Sequence, residues 1–315
     1  MLKMKLSKKS IRMIIVDAQI GFAEEKTQSG QKCELSCPEG KLKCKNISQL
    51  IGRLGEELEM ISVTQDSHNL GHIGLGYSWY DSSKSDLVHP PAFTEVVEYG
   101  KPWARLYEEK TSREYVEKLG SKRMKLTIWP PHCLKGTEQE LLQEDVQKSL
   151  TEWEEVSSKS CNLLKKGMSN NLEEYSPFCA YGQDRESRFN FTFANEVIGE
   201  DLEPSYLLVT GFALSHCVAA TVRDLVWFRQ FKGLDEALEL IVLTDCTSVV
   251  NGCQELADDL IAEVEPLGVK FLTSAQFLDL VKDQLVVEEE KEVIELEKEV
   301  IELEEEKEVI DLTED

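Results

Sequence analysis

Six short runs of β-branched and aliphatic residues, separated by stretches of helical periodicity, constrain this sequence more than anything else in it. The first, Ile11 to Asp17 (IRMIIVD), is apolar at every position but Arg12 until it closes on an acid. A strand that is apolar on both faces must be covered on both faces, which is the condition inside a parallel sheet. Comparable runs stand at Met60 to Gln65, Asn162 to Lys166, Tyr206 to Thr210, Leu238 to Thr244 and Val269 to Thr273. Between them, apolar residues recur at three and four positions over Asn46 to Glu57, Leu214 to Phe231 and Cys253 to Pro266, which predicts helices. This alternation predicts a three-layer α/β/α fold around a six-stranded, mainly parallel sheet.

The 315 residues could hold two average domains, but one α/β domain often takes roughly 200 to 250. We read one domain over residues 1–285. Polar, turn-rich segments at about 23–45 and 74–128 interrupt it as insertions near the site, the second a candidate lid. A distinct tail follows over residues 286–315. Of the net charge of −24, half sits in residues 288–315, where fifteen acids stand against three lysines. Such a balance repels phosphate backbones and anionic lipid, so neither nucleic acid nor membrane is an expected partner, whereas a neutral small molecule is. No apolar run is long enough to span a bilayer and the first residues show no cleavable leader, so the expectation is cytoplasmic or nuclear. Assembly into a homo-oligomer is compatible with these features. The nine cysteines form no C-x-x-C pair and are expected as thiols.

In an open parallel sheet, ligands bind beyond the carboxyl ends of the strands. Polar residues at those ends are Asp17, Gln65 with Asp66 and His68, Lys166, and the GFALSHC turn after Thr210. Cys217 stands near the start of a helix, where the dipole favours a thiolate and free backbone amides can hold an oxyanion. Each of these residues alone also has an ordinary reading: a buried thiol, a helix cap at Asp17, a solvated pair at Lys165-Lys166. Asp66-Ser67-His68-Asn69-Leu70-Gly71-His72 and Trp129-Pro130-Pro131-His132-Cys133 bring one carboxylate and three of the chain's five histidines into two loops, a donor set suited to zinc, iron or manganese. Cys33, Cys37 and Cys44 (CELSCPEGKLKC) lack the spacing of a zinc site and read either as ordinary thiols or, with a fourth ligand, as a small zinc cluster.

Taken in order, these motifs resemble those of the nicotinamidases, within the isochorismatase-like cysteine hydrolase superfamily. Asp17-Ala18-Gln19 with Phe22 is similar to the D-x-Q-x-x-F start; Lys166-Gly167 and Tyr175-Ser176-Pro177-Phe178 to the lysine step and its Y-S-x-F sequel; Gly211 to Val218 to the G-x-A-x-x-x-C-V nucleophile loop. The resemblance spans about residues 11–275. It implies Asp17, Lys166 and Cys217 as catalytic residues and a Phe212–Ala213 cis peptide. It further implies an oxyanion site at the Ala213 and Cys217 amides. Asp66, His68 and His132 become ligands of one divalent metal ion, zinc before iron or manganese, with His72 either a further ligand or a supporting group. Phe22 and Trp129, together with Tyr175, become the substrate-binding aromatics. The implied reaction is hydrolysis of nicotinamide to nicotinate and ammonia through a thioester, a step of NAD salvage. Leu214, Ser215 and His216 depart from the family's usual Thr-Asp-Tyr or Thr-Asp-His. Other readings are a related amidase acting on another carboxamide, and a catalytically silent scaffold.

The tail repeats a short unit, Val293-Ile-Glu-Leu296, Val300-Ile-Glu-Leu303 and Val309-Ile310-Asp311-Leu312. A solvated helix, a disordered acidic segment and a short coiled coil all remain open. VIDLTED also resembles a SUMO-interaction motif, in which an apolar run adds a strand to its partner and flanking acids meet a basic rim.

Overall fold

A computed structural model describes residues 9–199 and 205–282. Strand β1 (Ser10–Val16) is followed by a one-turn helix α1 (Ile20–Ala23), α2 (Gly40–Leu54) and β2 (Leu58–Asp66). Next come β3 (Trp79–Asp81), β4 (Thr94–Val96), β5 (Trp103–Arg105), α3 (Glu109–Ser121), β6 (Leu126–Ile128), α4 (Glu144–Ser157) and β7 (Asn162–Lys166). The order ends with α5 (Arg185–Arg188), α6 (Phe191–Ile198), β8 (Ser205–Phe212), α7 (Cys217–Lys232), β9 (Leu238–Ser248), α8 (Gln254–Val264) and β10 (Lys270–Leu272).

All six predicted strands lie in one sheet, ordered β10-β9-β8-β1-β2-β7, and every neighbouring pair is parallel. The two-residue period of a strand divides the core into two layers. On β1, Ile11, Met13 and Ile15 pack with α2 and α4, while Ile14 and Val16 pack with α6, α7 and α8. On β8 the same alternation sends Tyr206 and Leu208 one way and Leu207 and Val209 the other. This is why these strands read as unbroken apolar runs. Ile14 has no exposed surface, and truncating such a side chain to alanine costs roughly 2–5 kcal/mol.

Helix α2 begins six residues before its predicted start at Asn46. Its first turn is polar on the outside and is docked through Gly40, where a Cβ would come within 2.6 Å of the Ala23 carbonyl oxygen. Helix α4, which the sequence reading did not identify, buries Val146, Leu150 and Trp153 against α2. The segment 74–128 is no loop. Its short strands form two antiparallel pairs, β3 with β5 and β4 with β6, around a third core containing Trp79, Tyr99, Tyr115, Val116, Leu119 and Ile128. Three-residue strands carry too little alternation to stand out in a sequence. Among the described residues, no helix is long and apolar enough to cross a membrane. The acidic repeats, including Val309, Ile310, Asp311 and Leu312, lie outside the described residues.

Candidate active site

Strand β1 pairs with β2 on one side and β8 on the other, so the chain departs in opposite directions from its carboxyl end and leaves a crevice there. Asp17 follows β1, Asp66 ends β2, Lys166 ends β7, and Cys217 opens α7 beyond β8. The structure therefore brings together four of the side chains singled out in the sequence, from segments up to two hundred residues apart.

Lys166 is their hub. Its Nζ lies 2.7 Å from Asp17 Oδ2, 2.5 Å from Asp66 Oδ1 and 3.5 Å from Cys217 Sγ, in a buried setting. Thr64 donates its hydroxyl to Asp17 Oδ1 at 2.6 Å, which fixes the other carboxylate oxygen toward the lysine. Burial works against the Lys166 charge, but the two carboxylates outweigh it and hold the ammonium protonated. Burial pushes Asp17 up to about 6, with Lys166 opposing and Asp66 adding to the rise. Burial also pushes the Cys217 thiol well up, with Lys166 pulling it back and both acids adding to the rise. The resting pair is thus a thiol beside a carboxylate of unusually high basicity, with a fixed ammonium between them. The Phe212–Ala213 peptide is cis. The Ala213 carbonyl accepts from His216 and Val218, and the Cys217 amide, in the first position of α7, has no earlier helical turn to bond to.

Asp66 belongs to a second group. With Oδ1 on Lys166, its Oδ2 faces His68 Nε2 at 3.5 Å and His132 Nε2 at 3.9 Å. Burial would raise Asp66, but the Lys166 ammonium beside it prevails and holds it ionised. Each ring is pinned from behind: His68 Nδ1 donates to the Gly167 carbonyl at 3.0 Å and His132 Nδ1 to the Pro130 carbonyl at 2.8 Å. That leaves both Nε2 lone pairs turned toward one carboxylate oxygen, and the three ligand atoms fall within 4.8 Å of one another. A carboxylate with two backbone-oriented imidazoles fits a divalent metal such as zinc, iron or manganese. Gly167 is required here, because at its φ of +71° a Cβ would meet the His68 ring at 2.4 Å. His72 packs on His68 with ring centroids 4.3 Å apart, but both its nitrogens are engaged: Nε2 donates to the Leu172 carbonyl and Nδ1 accepts from the Gly74 amide, each at 3.1 Å. Its place is behind the His68 ring.

Phe22 and Trp129 line the small cavity above these groups, with Tyr175 donating nothing to them but accepting the Trp129 Nε1–H at 3.1 Å. The cavity is small, with about 30 Å³ open to water, room for about two molecules. Four further residues close it: Leu35, Glu173, His216 and Val250. Leu35 sits in the 23–45 segment, which places part of that insertion at the site. Glu173 is the more consequential. It is buried, its Oε2 has no hydrogen-bond partner among the described residues, and burial pushes it up to about 7. An acid two residues before Tyr175 was the only sequence signal for it, obscured by Glu174 alongside. Gln19 braces Asp66 by accepting from its amide and donating to its carbonyl, both at 2.8 Å. Among the described residues Cys33, Cys37 and Cys44 form no cluster of metal-binding geometry; Cys37 and Cys44 belong to the core beneath α2.

No family model matches the sequence, and no curated protein matches it. Solved structures do. The yeast nicotinamidase bound to the inhibitor nicotinaldehyde is 17% identical with a TM-score of 0.57, the match covering 84% of this chain and 99% of that one. An Acinetobacter baumanii nicotinamidase/pyrazinamidase is 19% identical at a TM-score of 0.55, covering 85% and 98%. A protein from L. infantum in complex with nicotinate is 17% identical at a TM-score of 0.53, covering 87% and 98%. This likeness establishes the fold: the chain shares with these solved proteins a six-stranded parallel sheet covered by helices on both faces.

Proposed function

We propose that the chain is a metal-assisted cysteine amidohydrolase that converts nicotinamide to nicotinate and ammonia. The observation that carries this reading is the single buried ammonium of Lys166 in contact with Asp17, Asp66 and Cys217 at once. It joins an acid–base pair to a nucleophile and to the edge of a metal-ligand set. Proteins of similar fold that have been solved with nicotinaldehyde and with nicotinate support the ring chemistry.

In the proposed reaction Asp17 takes the proton from the Cys217 thiol as sulfur attacks the carboxamide carbon. Lys166 stabilises the forming thiolate, and the Ala213 and Cys217 amides receive the oxyanion, a contact of about 3–4 kcal/mol in the transition state. Asp17 returns the proton to the departing amine, so ammonia leaves and a thioester remains. Water then adds to the thioester with Asp17 again as base, and nicotinate departs as the thiol reforms. Asp66, His68 and His132 would hold the metal, whose chemistry is to bind and orient the pyridine nitrogen. Phe22 and Trp129 confine the ring. Ammonia release from nicotinamide by the purified, metal-loaded chain, compared with Cys217→Ala, tests the reading; release no greater than the variant's would sink it. Intact Asp17, Lys166 and Cys217 in mutual contact favour this over a silent scaffold, which needs none of them. For the tail, SUMO binding through Val309-Ile310-Asp311-Leu312 is a separate proposal; it predicts that deleting residues 286–315 abolishes binding to immobilised poly-SUMO.

A further inference from the structure

A second, much larger opening adjoins the reaction cavity. It is a cleft of about 610 Å³, and two of its lining residues, Tyr175 and His216, also line the small cavity. Their rings stand 5.9 Å apart, each against Trp129, and form the partition between the two spaces. The cleft is also lined by five cations, Lys122, Arg123, Lys125, Arg185 and Arg223, against two acids, Glu95 and Asp224. Three of these cations are neutralised: Lys125 by Glu95 at 2.6 Å, Arg185 by Asp224 at 2.5 Å and Arg223 by Glu263 at 2.7 Å. Lys122 reaches only the Gln183 carbonyl, at 3.3 Å, and no carboxylate among the described residues pairs with Arg123. The cleft therefore keeps an excess of positive charge on a chain whose net charge is −24.

That charge lies where the proposed chemistry generates an anion. Hydrolysis turns a neutral amide into a carboxylate inside a cavity walled by the Asp66 carboxylate, which repels it, while the rest of the acidic surface repels it outside. We propose that the cleft is an anion-binding site that receives the aromatic carboxylate product across the Tyr175–His216 partition, with Lys122 and Arg123 as its charge. This rests on the amidohydrolase reading for the identity of the anion, but the site itself is testable without turnover.

The test is calorimetric titration of the full-length chain with nicotinate and, separately, with inorganic phosphate. The proteins compared are the wild type, K122E/R123E, the milder K122Q/R123Q, and K110E/K148E as a control that changes net charge equally on exposed helices elsewhere. The proposal expects nicotinate affinity to fall about tenfold or more in K122E/R123E, by less in K122Q/R123Q, and by under about twofold in the control. Wild-type affinity should also weaken as salt rises, and phosphate should compete. Equal nicotinate affinity in K122E/R123E and the control overturns the proposal. So does a cleft that binds phosphate but not nicotinate, since the ligand would then be a phosphorylated compound. Charge-dependent nicotinate binding without ammonia release from nicotinamide would uphold the anion site while removing the amidase reading.

Discussion

The two halves of the site are held in place by different physics. Around Lys166 the groups are fixed by one another's charge: remove Asp17 or Asp66 and the ammonium loses a partner it needs to stay ionised while buried. Around Asp66 Oδ2 the rings of His68 and His132 are fixed by backbone carbonyls, so their direction does not depend on the thiol, on Asp17 or on protonation elsewhere. On the proposed reaction the first corner has to pass a proton and so must be responsive, whereas the second has to present the same lone pairs to a metal throughout. Asp66 alone belongs to both, one oxygen in each.

Mutation can break this division in graded steps. Cys217→Ala is expected to lower ammonia release by about 10⁴-fold or more while leaving bound metal, measured by elemental analysis, unchanged. Loss of metal as well would show that the corners are not separable. Asp66→Asn should fail on both counts, losing the metal and about a thousandfold in rate, because it leaves the Lys166 charge short of a partner. Acid should act on the responsive corner first. With Asp17 at about 6, the base is ionised above that pH and protonated below it, so kcat/KM falls about tenfold per pH unit as pH drops through 6. A pH profile flat from 5 to 8 would remove Asp17 as the base. His72→Gln, behind His68, should weaken metal affinity about tenfold with a smaller change in kcat, as support residues do. Cys133→Ser, a buried thiol directed at the Gln139 carbonyl at 3.4 Å rather than at the lysine, should alter activity by less than about threefold.

The contrast between Cys217 and Cys133 marks how far a sequence can be read. Both are buried thiols just beyond a strand, adjacent to a histidine, and composition alone treats them alike. Order among motifs separated them, since Cys217 follows an acid and a lysine at other strand ends, as a shared crevice requires. The strands were legible because burial on both sheet faces forces apolar residues at successive positions, as Ile14 and Ile15 show by entering opposite cores. The 74–128 segment was not legible, because its core is assembled from single aromatic and aliphatic residues spaced among Ser, Asp, Lys and Glu. Glu173 and Leu35 were missed for a related reason. Each matters only through the cavity that other segments close around it, and neither carries a local periodicity that marks it.

The sequence by itself determined the layers of this fold, the strands whose ends bear Asp17, Asp66 and Lys166, the helix start that bears Cys217, and the pairing of an acid with histidines in two loops. These are one-dimensional facts, because strand and helix periods and turn residues act over a few neighbours. Tertiary structure alone decided which Asp66 oxygen faces the lysine and which faces the imidazoles, that both His72 nitrogens are taken by backbone, and that a basic cleft lies one partition away from the thiol. Those outcomes depend on distances between segments a hundred residues apart, and such distances exist only once the sheet has closed and burial has made each charge choose a partner.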